Sequence, residues 1–217
     1  DTIIKENEDF IIENNDNFIV LNKQAGISVQ GGTKSKKNLI DIFAKSEIFK
    51  DDKPYSVHRL DKETSGVMLL SKTKPAKKYL QEQFSQRGVY RIYHALVEGL
   101  VTEDSGTVIQ YLTEDKHLNI KTTSKTNKFA KQAITHWEVF AKYESTTLVR
   151  VMIETGRRHQ IRMAMQSIGN PIVGDALHGA ETNPFSRICL HATSLEFLHP
   201  ETDEPIRFEA KHPFDKL

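Results

Sequence analysis

The chain has 217 residues, of which 38% are hydrophobic and 27% are charged, so it is long enough and apolar enough to bury a core. The formal net charge is only +1, so overall charge does not by itself indicate a nucleic-acid partner. A single cysteine, Cys189, excludes an internal disulfide and a zinc site built from several cysteines. No apolar run is long enough to span a membrane, and no signal peptide is evident. We therefore expect a folded cytoplasmic protein without a membrane segment.

In the first ninety residues, short strands alternate with helices. Runs of β-branched, aromatic or other apolar residues predict strands over 10–12, 18–23 and 67–72. Apolar residues at helical spacing predict helices over 38–46 and 75–86. Pro75 suits the first turn of the second helix, and Gly88 follows its end.

The rest of the chain is richer in strands. Alternating apolar positions predict strands over 91–99, 133–140, 146–153, 193–198 and 205–210, the last two joined as a hairpin. Residues 100–131 are polar and rich in threonine and lysine, which indicates a meander with loops. One helix is expected over 158–166, ended by Gly169-Asn170-Pro171. Because strands outnumber helices, we expect an α+β fold with a mixed, largely antiparallel central sheet and flanking helices.

Basic residues crowd into two parts of the chain. The first contains Arg59, Lys62, Lys72, Lys74, Lys77, Lys78, Arg87 and Arg91. The second is Arg157-Arg158-His159, with Arg162 one helical turn beyond Arg158. Many cations on one face are what a phosphate backbone requires, whereas a solvated surface is the alternative interpretation. The arginines beside apolar strands favour RNA or another polyanion as a partner.

Asp61 lies in the segment H-R-L-D-K-E-T-S-G (58–66) and has three candidate roles. It is a turn acceptor, a structural partner of an arginine, or a nucleophile or general base. The residues alone favour a structural role, because most loop aspartates are structural. A catalytic aspartate that must stay ionised in a pocket needs a cation, for which Arg162 is a candidate. Tyr93 is likewise either a core residue or a platform on which a flipped base stacks.

The histidines do not form a recognisable metal motif. The spacing of His58, His159, His191 and His199 matches no metal-binding pattern, so we expect no metal. The G-G-T at 31–33 lacks the Lys-Ser ending of a phosphate-binding P-loop.

Five collinear segments of the chain resemble RluA-type pseudouridine synthases. They are H-R-L-D-K-E-T-S-G (58–66), V-L-N-K-Q-A-G-I-S-V-Q-G-G-T (20–33), R-I-Y-H-A-L-V-E-G (91–99), T-G-R-R-H-Q-I-R…G-N-P-I-V-G-D (155–175) and L-H-A-T-S-L-E-F-L-H-P (190–200). The second segment looks most like the RluC branch, which acts on large-subunit ribosomal RNA. Gln24, Arg91 and Ala164 depart from the usual pattern of the family and blur this branch assignment.

The resemblance implies an isomerase that needs no metal or organic cofactor. Such an enzyme breaks the N1–C1′ bond of a uridine in RNA, rotates the base and rejoins it through C5. In the family pattern, Asp61 is the essential aspartate, which attacks C1′ or assists formation of a glycal. Tyr93 stacks on the target base and acts in removing the C5 proton, and Arg162 pairs with Asp61. The substrate-binding residues that we expect are Arg59, which enters the RNA, Leu190, which forms an apolar wall, His58, Arg157 and His159.

The resemblance also implies an architecture and a partner. We expect a single pseudouridine synthase catalytic domain over 1–217 with a central catalytic cleft, acting as a monomer on large-subunit (23S) ribosomal RNA. Proteins of the RluC branch often carry an N-terminal S4 RNA-binding domain. Because the first residue of this chain is not methionine, we expect such a domain upstream. The alternatives are a tRNA-directed or dual-specificity synthase and a catalytically idle RNA-binding protein on the same fold. A hydrolase that pairs Asp61 with Glu63 as its second carboxylate is a third.

Overall fold

A computed structural model describes residues 2–31, 37–50 and 52–215 of the chain. The described helices are α1 (Thr2–Glu8), α2 (Leu39–Ala44), α3 (Lys74–Ser85) and α4 (Gln160–Ser167). The described strands are β1 (Ile11–Asn14), β2 (Phe18–Lys23), β3 (Tyr55–Ser56), β4 (Ser65–Ser71), β5 (Tyr90–Glu98), β6 (Ser105–Glu114), β7 (Ile120–Thr122), β8 (Lys131–Lys142), β9 (Thr146–Ile153), β10 (Leu190–Leu198) and β11 (Pro205–Glu209). Gly32 and Thr33, which belong to the family-like segment 20–33, lie outside the described residues. None of the helices in the described part is long and apolar enough to cross a membrane.

The chain divides into two compact units. Unit 1 comprises residues 1–91 and 191–212, and unit 2 comprises residues 92–190 and 213–217. The predicted single domain over 1–217 and its central cleft stay predictions.

Unit 1 is built around strand β4, every residue of which is buried. β2 pairs with β4 antiparallel, from Phe18 opposite Ser71 to Lys23 opposite Gly66. On the other edge β4 runs parallel to β10, with Ser65 opposite His191. β1 adds to β2, β3 to β4 and β11 to β10, each antiparallel. A strand buried on both faces reads as a continuous apolar run, and this is the pattern of the sequence at V-M-L-L.

The core of unit 1 lies between this sheet and α3. Thr73 caps α3 by accepting the N–H of Ala76, and Pro75 occupies its first turn. Leu80 of α3 is fully buried against the sheet cluster of Phe18, Val20, Val57, Val67, Leu69, Val89, Leu195, Phe197 and Ala210. Burial of each large apolar side chain contributes about 1.5–3 kcal/mol, so this cluster fixes the strands that carry the loop between β3 and β4.

Unit 2 is an antiparallel sheet in the order β5-β9-β8-β6-β7. The ring of Trp137 on β8 covers Gly106 on β6, where a β-carbon would lie 2.7 Å from the indole. Helix α4 packs on this sheet through Met163, which joins Leu112 and Ala133 in a buried cluster.

The predicted fold class is confirmed, since the sheet is mixed and mostly antiparallel with few helices. Residues 100–131, which were expected to form a meander with loops, contain the ten-residue strand β6 and the short strand β7. Helix α1, strand β3 and the 3-10 turn at Ala176–His178 were not predicted from the sequence.

Candidate active site

Asp61 lies on the loop between β3 and β4. Its side chain is 18% exposed, and one of its carboxylate oxygens lies 4.0 Å from Nη2 of Arg59, whose side chain is 57% exposed. The carbonyl of Asp61 accepts the N–H of Thr64 at 3.0 Å, which closes the turn. An ion pair as open as this one contributes little to stability. The loop therefore presents a partly shielded carboxylate next to an exposed guanidinium.

The loop that carries Asp61 is held on one side by Lys23, at the end of β2. Lys23 is 1% exposed. Its ammonium donates to the carbonyls of Gln24 at 2.9 Å, Ile27 at 2.7 Å and Lys62 at 3.0 Å. The Lys62 carbonyl also accepts the N–H of Gly26 at 2.8 Å. Because a buried ammonium needs several acceptors, these bonds tie the residue after Asp61 to the turn that follows β2.

On its other side the loop enters β4 through a close contact with β10. Gly66 has φ +118, and a β-carbon there would overlap the carbonyl of Ala192. Ser65 donates to Nδ1 of His191 at 2.7 Å, because Nε2 of His191 donates to the carbonyl of Ala210 at 2.8 Å. The Ser65-Gly66 pair of the signature thus fixes where the Asp61 loop ends.

His58, a predicted substrate-binding residue, has structural contacts. Its ring stacks on Phe84 at a centroid distance of 4.7 Å, and Nε2 accepts the N–H of Leu69 at 3.1 Å. Burial, reinforced by the charge of Arg91 and opposed by a backbone bond at Arg59, lowers the pKa of His58 to about 3. The neutral ring therefore anchors the loop to β4.

Arg162 makes a buried ion pair. Its Nε and Nη2 donate to the two carboxylate oxygens of Asp175 at 2.9 and 2.7 Å. The side chains are 7% and 0% exposed. The bidentate geometry uses one edge of the guanidinium and fixes the plane of the group.

The residues that precede α4 form further contacts within unit 2. His159 has a left-handed φ of 56, and its Nδ1 lies 2.9 Å from Nε2 of His178. Burial, and then the charge of Arg162, lower the pKa of His159 to about 3, so the ring is neutral at physiological pH. Arg157 donates through Nε to the carbonyl of Gln132 at 2.9 Å. Arg157 and His159, both predicted to bind substrate, thus each have a partner within the protein.

Tyr93 and Leu190 lie on the strands that the sequence predicted. Tyr93 is 7% exposed on β5, opposite Val151 of β9. Leu190 is 3% exposed at the start of β10, and its carbonyl accepts from Nη2 of Arg187 at 3.0 Å. Both side chains are buried, and the role of Leu190 as an apolar wall stays a prediction.

The structure brings the predicted residues together in two groups. Arg59 and Asp61 lie together in unit 1, and Arg162 lies one helical turn from His159 in unit 2. The predicted pairing of Asp61 with Arg162 stays a prediction, as does stacking of the target base on Tyr93.

Lys23 and Asp175 are site residues that were not predicted from the sequence. Lys23 in the N-K pair and Asp175 in the G-D pair both belong to family-like segments, but neither received a role. The signal that could have identified them is a charged residue inside or beside an apolar, glycine-containing segment, where a buried charge needs a partner.

Comparison with known proteins identifies the family. Residues 17–167, more than half of the chain, match the family model described as RNA pseudouridylate synthase. The chain belongs to the RluA-type family of RNA pseudouridine synthases.

Several relatives carry names of the same family. The chain is 39% identical over 164 residues to the uncharacterized RNA pseudouridine synthase YlyB of Bacillus subtilis. The aligned region covers 75% of this chain and 54% of YlyB. It is 35% identical over 213 residues to the ribosomal large subunit pseudouridine synthase D of Xanthomonas campestris, with 90% and 63% covered. The chain thus spans about half to two thirds of the length of these curated relatives.

A solved structure has the same fold. The human RNA pseudouridylate synthase domain containing 4 superposes with a TM-score of 0.81 and 23% identity, over 98% of this chain and 92% of that one. At this identity the likeness concerns the fold alone.

Proposed function

We propose that this chain isomerises uridine to pseudouridine in RNA, with Asp61 as the essential catalytic residue. The observation that supports this most directly is the anchored loop of the H-R-L-D-K-E-T-S-G segment, which presents a partly exposed Asp61 carboxylate. Lys23, Ser65 and Gly66 hold that loop from both ends. Membership of the RluA-type family supports the same activity.

In the proposed reaction Asp61 attacks C1′ of the target uridine or assists formation of a glycal. The N1–C1′ bond breaks and the uracil rotates. In the route with direct attack, an Asp61–C1′ ester forms as the N1–C1′ bond breaks, and C5 then displaces the Asp61 carboxylate as the C1′–C5 bond forms. The C5 proton leaves last and N1 ends protonated. The family pattern gives Tyr93 the stacking role and Arg162 the role of cation for Asp61. The bidentate pair with Asp175 fixes the guanidinium plane of Arg162.

The proposed substrate is large-subunit ribosomal RNA. Relatives from Xanthomonas campestris and Vibrio cholerae are named ribosomal large subunit pseudouridine synthase D, and they are 35% and 33% identical to this chain. Those names favour ribosomal RNA over tRNA. The RluC-like branch, the monomeric state and the cytoplasmic location stay predictions.

We expect Asp61→Asn to abolish pseudouridine formation in an unmodified large-subunit ribosomal RNA transcript while RNA affinity stays close to that of the wild type. The substitution removes the ionised carboxylate but keeps its size. The measurement is release of tritium from C5-labelled uridine in the transcript, with filter binding on the same samples.

Glu63→Gln is the matched control, because Glu63 is a second carboxylate of the same loop. It should leave the rate of pseudouridine formation close to that of the wild type. An active Asp61→Asn variant would remove Asp61 from the mechanism. Release of free uracil by the wild type, with loss of that release in both Asp61→Asn and Glu63→Gln, would instead support the hydrolase.

A further inference from the structure

Residues 114–131 form a basic segment between β6 and β8, here named the basic finger. It comprises the last residue of β6, the strand β7, two turns and the first residue of β8. Its positive residues are Lys116, Lys121, Lys125, Lys128 and Lys131, whereas its only carboxylates are Glu114 and Asp115. In a chain of net charge +1, this is a concentrated local excess of positive charge.

The two carboxylates of the basic finger are already engaged by other groups. Glu114 accepts from Nη1 of Arg158 at 2.7 Å. Asp115 accepts the N–H groups of His117 and Asn119 at 2.8 and 2.9 Å, which shapes the first turn. Asp115 also lies 3.9 Å from Nζ of Lys121, whose side chain is 70% exposed. Both acids are therefore engaged within the protein, and the other lysines, Lys116, Lys125, Lys128 and Lys131, provide the charge that the finger presents to a partner.

The second turn of the basic finger presents an aromatic ring to solvent. Phe129 is 74% exposed, more than any other large hydrophobic side chain in the described part of the chain. Its N–H donates to Oδ1 of Asn127 at 2.9 Å, and the N–H of Asn127 donates to the carbonyl of Ser124 at 3.1 Å. The turn is therefore preorganised around the exposed ring. Nζ of Lys128 lies 5.1 Å from the ring centroid, so a cation accompanies the aromatic face.

The base of the basic finger adjoins helix α4 within unit 2. The ion pair of Arg158 with Glu114 links the residues before α4 to the end of β6. Gln110 of β6 donates through Nε2 to the carbonyl of Met163 at 3.3 Å. The finger is thus attached to the helix that carries Arg162.

We propose that the basic finger is a second RNA-contacting surface, in which its lysines contact phosphates and Phe129 stacks on an unpaired base of the substrate other than the target uridine. An exposed ring flanked by lysines is the combination that single-stranded RNA requires, because every base has a face on which to stack. This inference rests on the proposed function, since it takes RNA as the substrate.

The test compares variants of the full chain in binding to a short, fluorescently labelled oligouridylate over a range of salt concentrations. Phe129→Leu should weaken binding by roughly 5-fold to 100-fold with the salt slope unchanged, whereas Phe129→Trp should restore it, because stacking requires an aromatic ring. The double variant Lys125→Ala/Lys128→Ala should reduce the salt slope by about 1.4, at about 0.7 for each phosphate of single-stranded RNA that a lysine no longer neutralises.

Matched controls lie elsewhere on the surface. Phe140→Ala removes a different exposed aromatic side chain, which lies on β8 outside the finger and is 59% exposed. Lys5→Ala/Lys142→Ala removes two exposed lysines outside the finger. Both controls should bind like the wild type. Equal losses in finger and control variants, wild-type binding by Phe129→Leu, or no binding of the oligonucleotide by the wild type would each overturn the proposal.

Failure of the inference is distinguishable from failure of the proposed function. The binding assay needs no turnover, so it measures the contribution of the basic finger to RNA affinity even in the Asp61→Asn background. With a saturating ribosomal RNA transcript, the finger variants should convert uridine in a single turnover at about the wild-type rate, because saturation compensates for a loss of RNA affinity. A lost chemical rate with unchanged oligouridylate binding would contradict the assignment.

Discussion

At the scale of single residues, two buried cations, Lys23 in unit 1 and Arg162 in unit 2, depend on partners that the fold supplies. Lys23 is satisfied by three backbone carbonyls and Arg162 by the carboxylate of Asp175. Removing the partner of a buried charge costs far more than the intact pair contributes, because the remaining charge stays desolvated. Asp175 is therefore more than a turn residue, although it lies outside the family signature that contains Asp61.

We expect Asp175→Asn to lower the free energy of unfolding by about 3–5 kcal/mol, because Arg162 then faces a neutral amide in a buried site. The measurement is urea unfolding followed by the fluorescence of Trp137, the only tryptophan, which lies in the same unit. The double variant Arg162→Met/Asp175→Leu should recover most of the loss. A loss below about 1 kcal/mol in Asp175→Asn, the value of an exposed pair, would show that the two groups are not paired in a buried site.

The neutral ring of His58 makes the stability of the protein depend on pH. Its pKa is about 3 in the folded protein against an ordinary value of 6.5, so the unfolded chain binds the proton more readily. Stability contributed by the neutral ring is therefore complete above pH 6.5 and is lost progressively as the pH falls towards about 3.

We expect His58 to account for a loss of up to about 2 kcal/mol between about pH 7 and about pH 5, at about 1.36 kcal/mol for each pH unit below the unfolded pKa. The measurement is urea unfolding followed by circular dichroism at both pH values. His58→Gln retains an acceptor for the N–H of Leu69 but does not titrate, so its pH dependence should be shallower. The same pH dependence in both proteins would contradict the assignment.

At the scale of elements, the Asp61 loop is defined by the two strands between which it is held. β2 ends in Lys23, whose ammonium binds the Lys62 carbonyl, and β4 begins with Ser65 and the glycine that contacts β10. The position of Asp61 therefore depends on the packing of the strands, and a change at either anchor should displace Asp61 without altering that residue itself.

We expect Gly66→Ala to destabilise the protein by about 3 kcal/mol or more, because it combines a left-handed φ with overlap on the Ala192 carbonyl. Gly26→Ala is the matched control. Gly26 also has a positive φ, +93, but a β-carbon there meets nothing within 4 Å, so strain of about 1 kcal/mol should be the only cost. Chemical denaturation and pseudouridine formation should be measured on both, and equal losses would show that the close contact with β10 is unimportant.

The elements also show what a sequence can and cannot predict. Strand β5 was predicted over 91–99 and lies at Tyr90–Glu98, because its pattern is long and regular. Strand β6 was covered only by the meander with loops predicted over 100–131, without bounds of its own, because its apolar residues Val108, Ile109 and Tyr111 fall on both faces and show no clean period. In the site, the signature around Asp61 was identifiable, whereas the partner of Arg162 was not, since which carboxylate reaches a buried guanidinium depends on tertiary packing.

At the scale of the whole molecule, charge is distributed so that an almost neutral chain still offers basic surfaces. The net charge of +1 conceals the basic finger of unit 2 and the exposed Arg59 of unit 1. An RNA-binding protein gains affinity from such local clusters, because each lysine or arginine that binds a phosphate releases counterions whatever the overall charge.

The central claim is that Asp61 carries out uridine isomerisation in RNA. It is tested most directly by mapping pseudouridine across large-subunit ribosomal RNA from cells that lack this protein and are complemented with the wild type, Asp61→Asn or Glu63→Gln. We expect specific sites to disappear in the deletion, to return with the wild type and Glu63→Gln, and to stay absent with Asp61→Asn. Restoration of those sites by Asp61→Asn would contradict the role of Asp61, and an unchanged map after deletion would contradict the proposed substrate.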